Sequence, residues 1–223
     1  QSFSTKLKEH YIKGDFSING FHNPLISSNL TGNISLDKIA FFISSPATKL
    51  VGNSTFDVQL KAQKMDENYM IKDLNGDVSI LDGKASYTTK QIDIDFDELH
   101  FTLSNTDMKI RGNRFKYQTD LFDFNTNIPN WIDVFLEKSQ TITVGGKMNF
   151  DMFTTSIWTD FFNKFDASED TTSFFEIQIN KLKLDVNMLH FNKALFHDVE
   201  IQHLELKIII SESIHAMSCG CAI

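Results

Sequence analysis

Apolar and polar residues alternate along most of this chain, and the alternation breaks in a recurring way. In "IQINKLKLDV" (Ile177 to Val186) it slips by one residue at Asn180 and Lys181 and then resumes. "IDFDELHFTL" (Ile94 to Leu103) and "VEIQHLELKI" (Val199 to Ile208) follow the same template, apolar-x-apolar-x-x-apolar-x-apolar-x-apolar with every x polar. "ISLDKIAFFI" (Ile34 to Ile43) fits at its five apolar positions, although Ala40 and Phe42 blur its polar side. A strict match is expected in about one window per thousand at this apolar content, so three in one chain mark a recurring element.

Period-2 alternation is a strand with one buried face, and a slip of one residue would turn the rest of that face into water. A β-bulge absorbs the extra residue, bends its strand and increases the right-handed twist. The pattern therefore predicts a mainly β protein: a strongly twisted, bulged antiparallel sheet, curved into an open groove with one apolar face. Most glycines fall between alternating runs and are read as turns, with Asn19-Gly20 and Asp82-Gly83 as two-residue hairpins. Gly76 is in phase with Leu74, Val78 and Ile80 and is placed inside a strand, where a missing side chain leaves room for something to approach.

Two segments change to helical spacing, at about 129–138 and 156–165. "PNWIDVFLEK" starts at Pro129, and "SIWTDFFNKF" puts Ile157, Trp158, Phe161, Phe162 and Phe165 on one broad face with Ser156 as N-cap. These helices either plug an end or edge of the sheet or act as a gate or membrane-touching element. Two short helices cannot cover a sheet of about a dozen strands.

Composition narrows the partners. With 21 Phe and only 3 Pro the chain suits long strands rather than a linker. A formal charge of −8 gives no support to nucleic-acid binding or to a polybasic membrane patch. No run of about 18 apolar residues is present for a helical membrane span. The first residue is Gln with no leader before it, so the chain is read as a piece of a longer protein whose anchor lies upstream. Cys219 and Cys221 stand alone near the end, which excludes a disulfide framework; 1–213 is read as one domain and 214–223 as an irregular or non-native tail.

Chemistry-bearing motifs are absent: no G-x-S-x-G, P-loop or H-E-x-x-H occurs, and His190, His197 and His203 lack a metal-ligand spacing. Asp93, Asp95 and Asp97 alternate with Ile92, Ile94 and Phe96 and read as the solvated face of a strand. Neither catalytic residues, metal nor cofactor are expected. Three glycosylation sequons, at Asn29, Asn33 and Asn53, are what this composition produces by itself.

From Phe174 to Ile208 the sequence resembles the C-terminal part of AsmA family proteins. Leu189, Phe191, Leu195, Asp198, Val199 and Ile201 take the positions of the family's strand–connection–strand pattern. "VGGKMNFDM" followed by "SIWTDFF" resembles the strand-then-helix unit before it, and "LNGDVSILDGKASY" the recurring Gly-containing strand pairs. The resemblance covers roughly Leu74 to Ile208. It implies a periplasmic β-groove protein of Gram-negative envelopes, held at the inner membrane by an anchor absent from this chain. The implied function is non-enzymatic: binding phospholipid acyl chains, contributing to lipid transport between inner and outer membranes and to outer-membrane assembly and integrity, with envelope proteins as further partners. A structural or adhesive envelope β-sandwich without a lipid path is the rival reading. Candidate lining residues are Leu74, Gly76, Val78, Ile80, Ile94, Phe96, Leu99, Phe101, Leu103, Ile177, Ile179, Leu182, Leu184, Val186, Val199, Ile201, Leu204, Leu206 and Ile208.

Overall fold

The alternating segments pair into one open sheet of eleven strands in a computed structural model that describes residues 2–7, 10–38, 48–65, 68–136, 138–166 and 174–211. In chain order the strands are β1 (Ser2–Leu7), β2 (His10–Asn19), β3 (Leu25–Ser35), β4 (Thr48–Met65), β5 (Asn68–Tyr87), β6 (Ile92–Leu103), β7 (Asp107–Tyr117), β8 (Asp120–Pro129), β9 (Thr141–Thr154), β10 (Phe174–Phe191) and β11 (Ala194–Ser211). Spatial order equals chain order, and the sheet does not close into a barrel. The two-sheet sandwich is not what the described residues form.

Nine of the ten strand pairs are antiparallel; β9 and β10 run parallel, so the sheet is mixed rather than wholly antiparallel. A parallel neighbour requires the chain to return along the strand, which a tight turn cannot do. That return carries the longer helix, α2 (Thr155–Asp166); the shorter, α1 (Trp131–Phe135), follows β8.

The bulges lie where the alternation slips. β10 gains one residue on β9 between Ile179 and Leu182, and Lys181 takes a left-handed φ of 56°. β11 answers with an extra residue of its own between Ile201 and Leu204, restoring the register with β10. At Asp97-Glu98 the slip in β6 faces matching slips at Leu81-Asp82 in β5 and Asn113-Arg114 in β7, with φ of 49° at Asp82 and 51° at Arg114. Register is therefore unbroken among these three strands and shifts only where they meet β4 and β8. The three aligned slips run across the sheet, with Arg114 on the polar side, whose N–H donates to Asp123 Oδ1 (2.6 Å) and whose guanidinium meets Asp97 (3.2 Å).

Several local expectations are corrected. The template at Ile34 to Ile43 is not a strand: β3 stops at Ser35, the backbone is helical at 36–38, and 39–47 lie outside the described residues. Its apolar spacing also fits one helical turn, and Leu36 is buried. Asp82-Gly83 is inside β5, not a hairpin turn, and Asn19-Gly20 opens a five-residue connection, 20–24, because Asn19 pairs with Leu25. Gly14, Gly32, Gly52, Gly112, Gly145 and Gly146 are likewise within strands. Pro129 ends β8 instead of starting α1, whose N-cap is Asn130, and α2 begins one residue before Ser156. The C-terminal tail lies outside the described residues.

The densest packing is where α2 meets the apolar face. Phe96 stacks on Phe115 (4.8 Å between centroids) and Phe122 on Phe150 (5.0 Å), and the Trp158 ring lies 5.5 Å from both Phe122 and Phe150. Aromatic pairs of this kind contribute about 0.5–1.5 kcal/mol beyond their area burial. Asp120 is fully buried there. Its carboxylate accepts from Thr154 N–H (2.8 Å), Thr154 Oγ1 (2.9 Å) and Trp158 Nε1 (2.8 Å), which ties the start of α2 to β8.

Candidate functional site

The site is the apolar face itself, built from every second residue. In β5, Leu74, Gly76, Val78 and Ile80 share that face, and after the bulge so do Gly83, Ala85 and Tyr87. In β6 the set is Ile92, Ile94 and Phe96, then Leu99, Phe101 and Leu103 beyond the bulge. In β10 it is Ile177 and Ile179, then Leu182, Leu184 and Val186. Register places Val199 opposite Val186, Ile201 opposite Leu184, and Leu204, Leu206 and Ile208 opposite Leu182, Ile179 and Ile177. The slips thus keep the candidates of β5, β6 and β10 in phase along their strands.

Their burial is not uniform. Leu74, Ile80, Phe96, Leu182, Leu184 and Val186 are all below a tenth exposed, while Val78, Ile94, Leu99, Phe101, Leu103, Ile177, Ile179 and Val199 are half-buried and Ile201 is exposed. α2 accounts for the burial around β9 and β10, where Ile157, Trp158 and Phe161 pack on the core. Leu36, in the helical turn at 36–38, joins the buried cluster that includes Ile80 of β5. Leu74 is buried too, as a flat single-layer sheet would not allow. A concave face does allow it, because side chains of neighbouring strands lean over one another, as strong twist and bulging require. The result is a trough: filled by aromatic rings and α2 toward β10, and open toward β1 and β2, where Phe3, Phe16 and Ile18 remain 47, 38 and 56% exposed.

Glycines shape that face. Gly83 pairs with Phe96, Gly112 with Phe124 and Gly32 with Phe56, and in each pair the ring lies where a glycine Cβ would stand. Aromatic rings laid across cross-strand glycines cover the exposed backbone and hold the local curvature. Gly83→Val is expected to displace the Phe96 ring from its stack on Phe115 and cost about 1–3 kcal/mol, read as a fall in thermal midpoint. A midpoint equal to the parent's would show that the ring does not depend on the glycine. The space at Gly76 is different from the expectation: a Cβ there would meet Asp57 O at 2.6 Å and Val58 Cα at 2.8 Å. The neighbouring backbone already occupies it.

The opposite face is polar. Lys147 meets Asp185 (2.5 Å), and Lys183 meets both Asp185 (3.7 Å) and Glu200 (2.5 Å), a ladder across β9, β10 and β11. Lys147 above all holds the Asp185 carboxyl below the ordinary carboxylate range; Lys183 does the same for Glu200, which in turn raises Lys183. Asp93 and Asp95 project to the same side against Lys84, as a solvated strand face does. A depression of about 810 Å³ opens there among Lys109, Arg111, Asn125, Asn127 and Lys147. Its amides and charges are unsuited to acyl chains, so it is not the trough.

One polar arrangement sets a serine beside a histidine and a carboxylate. Ser79 Oγ lies 2.7 Å from His100 Nδ1, and His100 Nε2 lies 3.1 Å from Asp77 Oδ1. Both strands are paired on each side, and the three side chains lie on the polar face of the sheet. Thr102 also donates to Asp77 (3.0 Å), making this a cross-strand hydrogen-bond net. Among the described residues no group of His, Cys, Asp and Glu side chains is placed to hold a metal ion, and no helix is long and apolar enough to cross a membrane.

Sequence reasoning missed Asp120, although it left a signal: an acidic residue in phase with Phe122 and Phe124 on the apolar side. Compared with known proteins, the chain matches no family model, no curated protein and no solved structure.

Proposed function

We propose that the concave apolar face holds phospholipid acyl chains, and that the protein works without catalysis on a periplasmic route between inner and outer membranes, contributing to outer-membrane assembly and integrity. The observation that carries this reading is the stretch of trough toward β1 and β2, apolar and curved, where Phe3, Phe16 and Ile18 stay exposed on the trough face. Each methylene moved from water into such a surface is worth about 0.8 kcal/mol, so a partly seated chain gains several kcal/mol. Leaving a bilayer costs a similar amount, so the trough has only to match the membrane while lipid moves. The resemblance to AsmA proteins supports the compartment, the inner-membrane attachment through an upstream anchor and contact with envelope proteins.

Native mass spectrometry of the protein purified from a Gram-negative host tests the reading directly, and phospholipid adducts are expected. Val78 supplies the paired variant. It is half-buried on the trough face, between Phe56 of β4 and Phe101 of β6. Val78→Glu should keep the thermal midpoint within about 5 °C, because the carboxylate can reach water along the open trough, yet lose most bound phospholipid. Lipid-free wild-type protein, or unchanged lipid in the variant, would remove the basis for an acyl path along β5.

A further inference from the structure

We propose that the tip of the β10–β11 hairpin docks on a phospholipid bilayer surface. Over most of the sheet apolar residues gather on one side and polar residues on the other, with Tyr11, Met70 and Leu81 as scattered exposed apolar residues on the polar side. Over the last residues of β10 and the first of β11 that distinction fails. Phe191 and Phe196 continue the trough face, in phase with Leu189, which packs on the core. Met188 and Leu195 stand on the opposite, otherwise polar face. All four are substantially exposed, at 51, 48, 37 and 53% in that order. A flat protein partner covers one face of a hairpin. A bilayer interface surrounds the tip and desolvates both at once, as a two-sided apolar element requires.

Charge at this end fits the headgroup layer. Lys193 occupies the two-residue turn, and the α2 N-terminus is tied to the hairpin by Thr155 Oγ1 donating to His190 O (3.2 Å). Farther along α2, Lys164 Nζ reaches Gln91 O (3.5 Å), next to Lys90 in the turn between β5 and β6. Lys90, Lys164 and Lys193 therefore gather at one end of a chain whose formal charge is −8. Asp160 pairs with Lys164, Asp93 stands two residues after Gln91, and Asp198 is the acidic residue of the hairpin tip, 188–198. Long lysine stems let ammonium groups stay among phosphates while the neighbouring aromatic rings enter the acyl boundary. This inference is independent of acyl binding in the trough.

Co-sedimentation of the full chain with phosphatidylcholine vesicles, and with mixed phosphatidylcholine–phosphatidylglycerol vesicles, tests it. Binding to both is expected, tighter to the anionic mixture and weakened by salt. Leu195→Ser with Phe196→Ser should lower partition at least about tenfold while the thermal midpoint is kept. A polarity-sensitive dye on Lys193→Cys, with Cys219 and Cys221 changed to Ser, should shift to the blue on vesicles even if the double variant folds poorly. Three results would overturn the proposal: no dye shift, unchanged partition of a folded double variant, or a wild-type dimer in sedimentation velocity that the double variant dissolves. The last would assign the tip to a second copy of the chain.

Discussion

Deleting Lys183 is expected to unfold the protein, whereas deleting Lys181, two positions earlier, is expected to be tolerated. Lys181 is the extra residue of a bulge, so its removal leaves Ile177, Ile179, Leu182, Leu184 and Val186 in strict alternation on one face. It also removes a left-handed φ of 56° at a non-glycine residue, a conformation that costs about 1–2 kcal/mol. That gain offsets the local change in register, and the net effect should be about 2 kcal/mol or less. Loss of Lys183 cannot be absorbed in this way. Keeping Leu184 and Val186 inward would turn Lys181 into the core and Leu182, now 4% exposed, into water. Burying an ammonium group and emptying a leucine site together cost roughly 5 kcal/mol or more, a large part of the stability of an ordinary domain. Thermal melts of the two deletions decide the matter; indistinguishable midpoints would refute the bulge as the device that sets the face of β10.

Asp120→Ala is the second large effect. The substitution strips the acceptor from Thr154 N–H, Thr154 Oγ1 and Trp158 Nε1 in a site with no exposure. Each stranded buried donor costs about 1–3 kcal/mol, so a loss of roughly 3–5 kcal/mol is expected. For a chain of this length that lowers the midpoint by roughly 10 °C. Asp120→Asn should lie between, because the amide oxygen still accepts while its N–H₂ faces other donors. Near-ultraviolet dichroism should change with the Ala variant as Trp158 loses its fixed setting. A midpoint within about 2 °C of the parent would mean that water replaces the carboxylate and that α2 is not locked by it.

The strand pattern was legible because it is written in covalent order. A slip at Asn180-Lys181 or Asp97-Glu98 can be seen without knowing any partner; the first is a bulge against β9, whereas the second is met by matching slips in β5 and β7 that keep the register. What depends on a partner was not legible. Gly83 and Gly112 look like turn residues in isolation; only the register shows Phe96 and Phe124 standing across from them. Ile34 to Ile43 satisfied a strand template that a helical turn satisfies equally over a few residues. The parallel setting of β10 against β9 follows from a return path that no local pattern encodes. The candidate residues of β5, β6 and β10 share one face, but the division of that face into a filled part and an open part depends on where α2 lies. Asp120 was in plain view as an acid on an apolar phase.

Because each strand is bordered by its neighbours in the chain, the sheet can be assembled in the order in which it is synthesised. Most antiparallel partners arrive within a few residues of the strand they join, and only 36–47 and 130–140 are longer connections between antiparallel neighbours, so little loop-closure entropy precedes most new sets of contacts. β10 waits longest. It reaches β9 only after the chain has passed through 155–173, including α2. That step is the natural place for a delay in folding, with β9 presenting a bare edge until it is complete.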